Sequence, residues 1–259
     1  MKPELQSFER TPKLVWDLPT RVFHALFAAG IVVSAVIALG MGEHSPLFSY
    51  HALIGLVLVP LVLLRIVWGF VGTRYARFAS FAYGPRAVVA YIRGLMGSRD
   101  AEGPRWLGHN PASAWAIFAM LGLFIALAVT GVMMGRGYEA AKEVHEVCAY
   151  ALAGVAVVHV LGVALHALRR RENLVAGMIH GRKSVFGGAL ADGITSARPL
   201  AAAALVALVA AWGVGLVRGY DPATRTAMVP VVKARLSLGE VEERGNVGGM
   251  PGDREEDED

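Results

Sequence analysis

Two histidines, His145 and His159, share one long apolar stretch of the chain, and two more, His24 and His51, lie in other apolar stretches. Ionisable side chains are costly in lipid, so those in a membrane segment usually have a function and a partner. Fourteen positions separate His145 from His159, which is close to four helical turns and about 21 Å along the axis. The two rings therefore leave one face of a helix near opposite sides of a hydrocarbon core about 30 Å thick. This arrangement suits two stacked cofactors, one near each leaflet.

The composition indicates that membrane helices position these side chains. The chain has 259 residues, is 55% hydrophobic and has a mean hydropathy of +0.48. Soluble domains are less apolar than this, and here the charged residues collect between long apolar runs. The single cysteine, Cys148, excludes an intrachain disulfide, and the absence of a Cys-x-x-Cys-His motif excludes covalent attachment of a c-type haem.

Five apolar runs are long enough to cross a bilayer. They are residues 21–41, 50–71, 112–134, 144–168 and 199–217. The connections after the first and third runs carry little net charge, whereas 65–110 and 169–198 are rich in arginine. By the positive-inside rule, the N terminus and both arginine-rich segments are cytoplasmic. Because these basic residues flank membrane spans, we expect no nucleic-acid partner.

This topology places the four histidines in two pairs at matched depths. His24 lies with His159 near the cytoplasmic side, and His51 lies with His145 near the outer side. Two axial histidines leave a haem iron no open position, which suits electron transfer rather than oxygen binding. Zinc or copper would also accept imidazole, but zinc normally takes three or four close protein ligands. The remaining interpretation is that these histidines only pack within the bundle. That interpretation would be favoured for a single histidine, but not for four histidines at two matched depths.

Two further observations bound the chemistry. His109 precedes Asn110–Pro111 at the start of the third run, where a helix N terminus and an imidazole could meet an anion. A capping turn is the other interpretation of this motif. His145–Glu146 does not continue to the His-Glu-x-x-His zinc motif, because position 149 is alanine. No Gly-x-Ser-x-Gly motif or P-loop occurs either, so no catalytic residue is assigned.

Several motifs in the same order resemble the bacterial cytochrome b561 family, which includes the b-type cytochrome subunits of nickel–iron hydrogenases. The motifs are VWDLPTRVFH at 15–24, RIVWGFVGTRYARF at 65–78, GHNP at 108–111, the segment 143–159, and RENLVAGMIHGRK at 171–183. The resemblance covers about residues 14–183. It implies an all-α membrane protein of the bacterial inner membrane, a four-helix transmembrane bundle that binds two b-type haems.

The resemblance also implies the ligands and the domain organisation. Carried over by position, the haem ligands are His24 with His159 and His51 with His145, and Arg21 and His109 contact a haem propionate or a quinone. Residues 14–183 would form the dihaem domain, and 184–218 a linker with a fifth, C-terminal transmembrane helix. Residues 218–259 have a net charge of −4, and residues 219–259 are expected to be a disordered acidic extramembrane tail.

The function that the resemblance implies is transmembrane electron transport in a respiratory chain. Electrons would pass between quinone in the lipid bilayer and a periplasmic partner, a c-type cytochrome or a hydrogenase. One alternative is a self-sufficient, quinone-coupled superoxide oxidase, so the chain is either an electron-transfer subunit or an oxidoreductase. The other alternative is a haem-free transporter that uses the histidines as a proton relay.

Overall fold

A computed structural model of the chain describes residues 10–42, 44–97, 106–186 and 192–239. Its helices are α1 (Leu18–Gly40), α2 (Phe48–Val71), α3 (Pro85–Met96), α4 (Pro111–Met134), α5 (Ala141–Arg170), α6 (Leu174–His180) and α7 (Pro199–Arg218). Its strands are β1 (Arg10–Leu14), β2 (Arg182–Phe186), β3 (Tyr220–Asp221), β4 (Thr226–Met228) and β5 (Arg235–Ser237). A short 3₁₀ turn, Phe78–Ser80, precedes α3.

Five of these helices are long and apolar enough to cross a membrane: α1, α2, α4, α5 and α7. They lie at the five positions predicted from the apolar runs, with ends that differ by a few residues. The prediction of a helical membrane protein with five candidate spanning helices is therefore confirmed.

Side-chain caps begin two of the spanning helices sharply. Asp17 accepts a hydrogen bond from the backbone N–H of Thr20 at 2.9 Å, and Asn110 accepts one from Ser113 at 2.8 Å. A proline follows each cap within two residues, where its missing N–H costs nothing. These caps fix where α1 and α4 start, and hence the depth of every side chain along them.

The spanning helices pack in two neighbouring groups. α1 packs against α2, both contact α7, and α4 packs along α5 and also touches α2. α1 and α2 approach closely at Gly30, where a Cβ atom would lie 2.7 Å from Cδ2 of Leu58. The core between the groups consists of Phe23, Leu58, Leu61, Val62, Leu121, Phe124, Leu205 and Val209. α5 packs chiefly against α4, so its opposite face is left for other contacts.

One end of the bundle is closed by a two-stranded ribbon. β1 pairs antiparallel with β2, with Lys13 opposite Lys183. The N–H of Val15 donates to the carbonyl of Gly181 at 2.8 Å, and that of Leu18 to Ala197 at 2.8 Å. These bonds hold the starts of α1 and α7 beside the segment that follows α6. We call this the ribbon end.

The other end carries a small antiparallel sheet in the order β3–β4–β5, and we call it the sheet end. The N–H of Ser237 donates to the carbonyl of Gly135, just after α4, at 2.9 Å. The sheet is held by an apolar cluster of Leu53, Leu216, Ala227, Val229, Leu236 and Leu238. The expectation of disorder was therefore wrong for 220–239, because these apolar side chains are buried against α2 and α7. Residues 240–259 of the expected tail lie outside the described residues.

Candidate functional site

At the sheet end, the rings of His51 and His145 face each other across α2 and α5. Their centroids are 6.2 Å apart and their planes lie at 78°. Two imidazoles bound to opposite sides of one metal, with metal–nitrogen bonds of about 2 Å, have centroids about 6 Å apart. The separation of these two rings therefore fits a metal held between two axial imidazoles.

Hydrogen bonds fix which nitrogen of each ring is available. Nδ1 of His51 lies 2.8 Å from the hydroxyl of Ser34 and 3.0 Å from its carbonyl oxygen. Nδ1 of His145 lies 2.9 Å from the hydroxyl of Thr130, which donates to the carbonyl of Ala126 at 2.8 Å. The carbonyl of Ser34 can only accept a hydrogen bond, so Nδ1 of His51 is the donor. The hydroxyl of Thr130 already donates its one proton to Ala126, so it accepts from Nδ1 of His145. Both Nδ1 atoms therefore carry the proton. This leaves Nε2 of each ring with a free lone pair, the arrangement found in metal-binding histidines.

The depths of these two histidines also match. His51 lies three residues after the start of α2 and His145 four residues after the start of α5, about 5 and 6 Å along the two axes. The structure therefore brings together the two residues that the topology paired at this depth. The described residues hold no cluster of three or more His, Cys, Asp or Glu side chains, so the donor set here is the two imidazoles.

His24 and His159, the other predicted pair, lie toward the ribbon end. His24 is exposed, six residues into α1, whereas His159 is partly covered and its Nδ1 is buried with no hydrogen-bond partner in the described chain. A positive charge on either ring lowers the pKa of His109, so both lie near that residue. Among the described residues, the rings of His24 and His159 make no direct contact of the kind seen at the sheet end. Their role as ligands stays a prediction.

His109 lies between two aromatic rings at the ribbon end. Its ring centroid is 4.5 Å from that of Trp16 and 4.3 Å from that of Phe81. Burial lowers the pKa of His109 well below its usual value, and nearby Arg65 and Lys183 lower it further. The ring is therefore neutral at physiological pH. Its Nδ1 atom is buried with no partner among the described residues, and its contact with a propionate or a quinone stays a prediction.

Arg21 has a structural contact in addition to any role with a cofactor. Its Nε donates to the carbonyl of Met178 at 3.0 Å, and its Nη2 donates to the carbonyl of Ile179. These bonds tie α1 to the last turn of α6. Two of its nitrogens are thus engaged by the backbone, and its contact with a propionate or quinone stays a prediction.

Asp17 is a buried residue at the ribbon end that the sequence analysis did not single out. It is 1% exposed. Besides capping Thr20, its carboxylate accepts hydrogen bonds from Trp68 at 3.0 Å and from the hydroxyl of Thr73 at 2.6 Å. It therefore joins the start of α1 to the end of α2.

Arg65 is a second buried residue at the ribbon end whose position differs from the expectation from the sequence. It appeared as one of the arginines that set the orientation, yet it is 3% exposed inside α2. Its guanidinium lies 5.1 Å from the ring centroid of Phe78 and 5.9 Å from that of Phe23. The signal that could have found it is a charge inside an apolar span, which usually marks a functional position.

A hydrogen-bonded chain connects α3, α5 and β2 at the same end. The hydroxyl of Tyr91 lies 2.8 Å from Nδ1 of His166, and Nε2 of His166 lies 3.2 Å from Glu172. Lys183 pairs with the other carboxylate oxygen of Glu172 at 2.9 Å. Burial alone would raise the pKa of Glu172, but the hydrogen bond with His166 and the charge of Lys183 lower it to about 2. Glu172 therefore stays ionised, and the ion pair holds the ribbon against the bundle.

Comparisons with known proteins show the family of the chain. The family model described as prokaryotic cytochrome b561 matches residues 15–181, which include all four paired histidines and exclude α7 and the C-terminal sheet. The chain is 25% identical over 212 residues to a "Probable Ni/Fe-hydrogenase B-type cytochrome subunit" of Bradyrhizobium diazoefficiens, a match that covers 65% of this chain and 85% of that protein. No solved structure matches the chain significantly. Because the family model covers well over half of its length, the chain belongs to the prokaryotic cytochrome b561 family.

Proposed function

We propose that the protein transfers electrons across the bacterial inner membrane through two b-type haems, between the quinone pool and a periplasmic redox partner. Family membership supports membrane electron transfer through b-type haem. The observation that carries the proposal for this chain is the geometry of His51 and His145. Their separation of 6.2 Å, with both Nδ1 atoms engaged, fits two axial ligands of one iron.

The residues of the sheet end would hold the first haem. When bound, a b-type haem supplies a carrier that gains and loses one electron. His51 and His145 would hold the haem iron through Nε2 from α2 and α5, and two histidine ligands suit electron transfer rather than oxygen binding. Ser34 and Thr130 keep the two rings oriented through their Nδ1 protons.

His24 and His159 would hold the second haem toward the ribbon end. Because His145 and His159 lie on the same helix about 21 Å apart, α5 itself spaces the two sites across the bilayer. We assign the ribbon end to the cytoplasm, since the arginine-rich segments lie there, and the sheet end to the periplasm. Residues 14–183 would then form the dihaem domain, with α7 and the C-terminal sheet as an addition.

The hydrogenase-subunit name of the relative from Bradyrhizobium diazoefficiens favours a hydrogenase as the periplasmic partner. A periplasmic c-type cytochrome is the other candidate, because either partner would exchange electrons with the haem nearer the sheet end. Quinone would exchange electrons from within the lipid. Transfer of an electron from one haem to the other needs no acid, base or nucleophile from the chain. Reduction of a quinone takes up two protons with its two electrons, and oxidation of a quinol releases them, so these protons would be exchanged with water at the membrane surface.

The proposal is tested with purified protein in lipid vesicles that enclose ferricyanide. A membrane-impermeant reductant added outside should reduce the enclosed ferricyanide only when the protein is present, and pyridine haemochrome should give two haems per chain. A His145→Ala variant in the same vesicles is the control and should conduct far more slowly. A colourless preparation after haem-replete expression would refute the proposal and favour a haem-free transporter, whereas partner-independent reduction of quinone by superoxide would favour an oxidase.

Replacing Thr130 with valine should raise the midpoint potential of the sheet-end haem by tens of millivolts. Valine keeps the shape of threonine but cannot accept the Nδ1 proton of His145, so the imidazole becomes a weaker electron donor to the oxidised iron. Redox titration followed at the Soret band measures this shift. Thr224→Val, at an exposed position in the turn between β3 and β4, should leave both potentials unchanged. Equal potentials in Thr130→Val and wild-type protein would show that Thr130 does not act on the ligand.

A further inference from the structure

Arg65 is a buried cation whose hydrogen bonds are incomplete. It is 3% exposed, and its Nη2 donates to the carbonyl of Ala76 at 3.1 Å. Its Nη1 is buried and has no hydrogen-bond partner among the described residues. Within the described part of the chain, no carboxylate lies within ion-pair distance of it. A guanidinium in this state is costly to bury, because its charge and one nitrogen are left uncompensated.

Aromatic rings fix the position of this guanidinium. It lies over Phe78 at 5.1 Å and near Phe23 at 5.9 Å, which are cation–π distances. Phe78 in turn contacts Phe81 with centroids 5.9 Å apart, and Phe81 contacts His109 at 4.3 Å. Arg65 and His109 therefore border one aromatic cluster, formed by Phe23, Phe78 and Phe81.

Two polar groups without partners occur at this cluster. The Nδ1 of His109 and the Nη1 of Arg65 are both buried, and neither has a hydrogen-bond partner in the segments that the structure describes. Arg65 and His109 contact the same pair of touching rings, Phe78 and Phe81, and the charge of Arg65 contributes to the lowered pKa of His109. The nearest acid that acts on Arg65 is Asp17, whose carboxylate is already engaged by Trp68 and Thr73. Among the described residues, no carboxylate is hydrogen-bonded to Nη1 of Arg65 or Nδ1 of His109, and a carboxylate suits the planar fork of arginine best.

We propose that Arg65 and His109 form a carboxylate-binding pocket and that its ligand is a propionate of the haem at the ribbon end. This inference rests on the proposed function, since it needs a haem held by His24 and His159. Arg65 contacts Phe23, the neighbour of His24 in sequence. His24 lies six residues after the start of α1 and Arg65 six residues before the end of α2, which packs against it, so both are about 9 Å from the ribbon end.

The charged and ionisable groups around His109 also support a haem propionate as the ligand. His24 and His159 both act on His109, as Arg65 does. The pocket adjoins the predicted ligand His24 through the contact of Arg65 with Phe23, and a b-type haem carries its two carboxylates on one edge. A single propionate would supply acceptors for Arg65 and His109 together, and would compensate the buried charge of Arg65.

The test compares haem with its dimethyl ester, in which both propionates are neutral esters. Full-length protein with His145→Ala, which leaves only the ribbon-end site, is prepared without haem and titrated with each compound. Arg65→Met should weaken binding of haem at least tenfold, which is about 1.4 kcal/mol. It should not change binding of the dimethyl ester. Arg74→Met, at an exposed position, is the matched control and should change neither.

Two other results would overturn the inference. If Arg65→Met weakens binding of the dimethyl ester as much as that of haem, Arg65 does not act through a carboxylate. If the variant changes quinone binding and leaves haem binding intact, the pocket serves a quinone oxygen. A wild-type chain that binds no haem would instead refute the proposed function itself.

Thermal unfolding of the full-length chain separates ligand binding from a purely structural role. Arg65→Met should not destabilise the haem-free protein, because it removes a buried, incompletely bonded charge. It should lower the unfolding temperature of the haem-loaded protein, because the propionate loses its partner. An equal loss of stability with and without haem would mean that Arg65 only packs.

Discussion

Replacement of His159 by alanine is expected to remove the ribbon-end haem and to leave the sheet-end haem in place. If His24 and His159 hold one haem as proposed, this change would leave His24 as its single ligand, whereas His51 and His145 would keep their own hydrogen bonds with Ser34 and Thr130. The two layers lie about 21 Å apart along α5, so a change at one should not disturb the other. Pyridine haemochrome analysis of the purified variant should give half of the wild-type haem content.

His180→Ala is the matched control, because His180 is exposed at the end of α6. This variant should keep the full haem content. A His159→Ala variant that also kept its full haem content would contradict the assignment of His159 as a ligand. Loss of both haems with the helical content intact would contradict the independence of the two layers. Low-temperature electron paramagnetic resonance would identify which haem remains.

The spanning helices and the depths of the histidines could be predicted from local features of the sequence. Apolar runs of sufficient length and the uneven distribution of arginine determine the spans, and helical spacing then determines the depth of each ring. The structure places His51 beside His145, as this reasoning expected, although the ligand roles of all four histidines remain to be tested.

The partners of the histidines could not be predicted in the same way. Ser34 and Thr130 lie on helices other than those of the rings they contact, and a lone hydroxyl in an apolar helix gives no sequence signal. Arg65 did give a signal, but near an arginine-rich segment it resembled an orientation signal. The C-terminal sheet was missed because its strands have two or three residues, too few to show alternation.

Replacement of Asp17 by asparagine is expected to lower the free energy of unfolding by about 1.5–3 kcal/mol, the usual contribution of a hydrogen bond to a charged group. Asparagine keeps the size of the side chain, so no cavity contributes. One of the two acceptor oxygens becomes an NH₂ group, which faces N–H and O–H donors from Thr20, Trp68 or Thr73. Arg65 also loses the nearest negative charge that stabilises it. Thermal or denaturant unfolding in detergent, followed by helical content, measures this change.

Asp192→Asn is the control for the loss of one negative charge, because the Asp192 side chain is 93% exposed and its contact with Lys13 is long, at 4.0 Å. It should change stability by less than about 0.5 kcal/mol.

The position of Asp17 adds a functional consequence, since it caps α1 seven residues before His24 and bonds Trp68 three residues after Arg65. Asp17→Asn should therefore weaken haem binding at the ribbon end more than at the sheet end. A variant as stable as wild-type protein would show that the Asp17 contacts do not hold α1 and α2 in place.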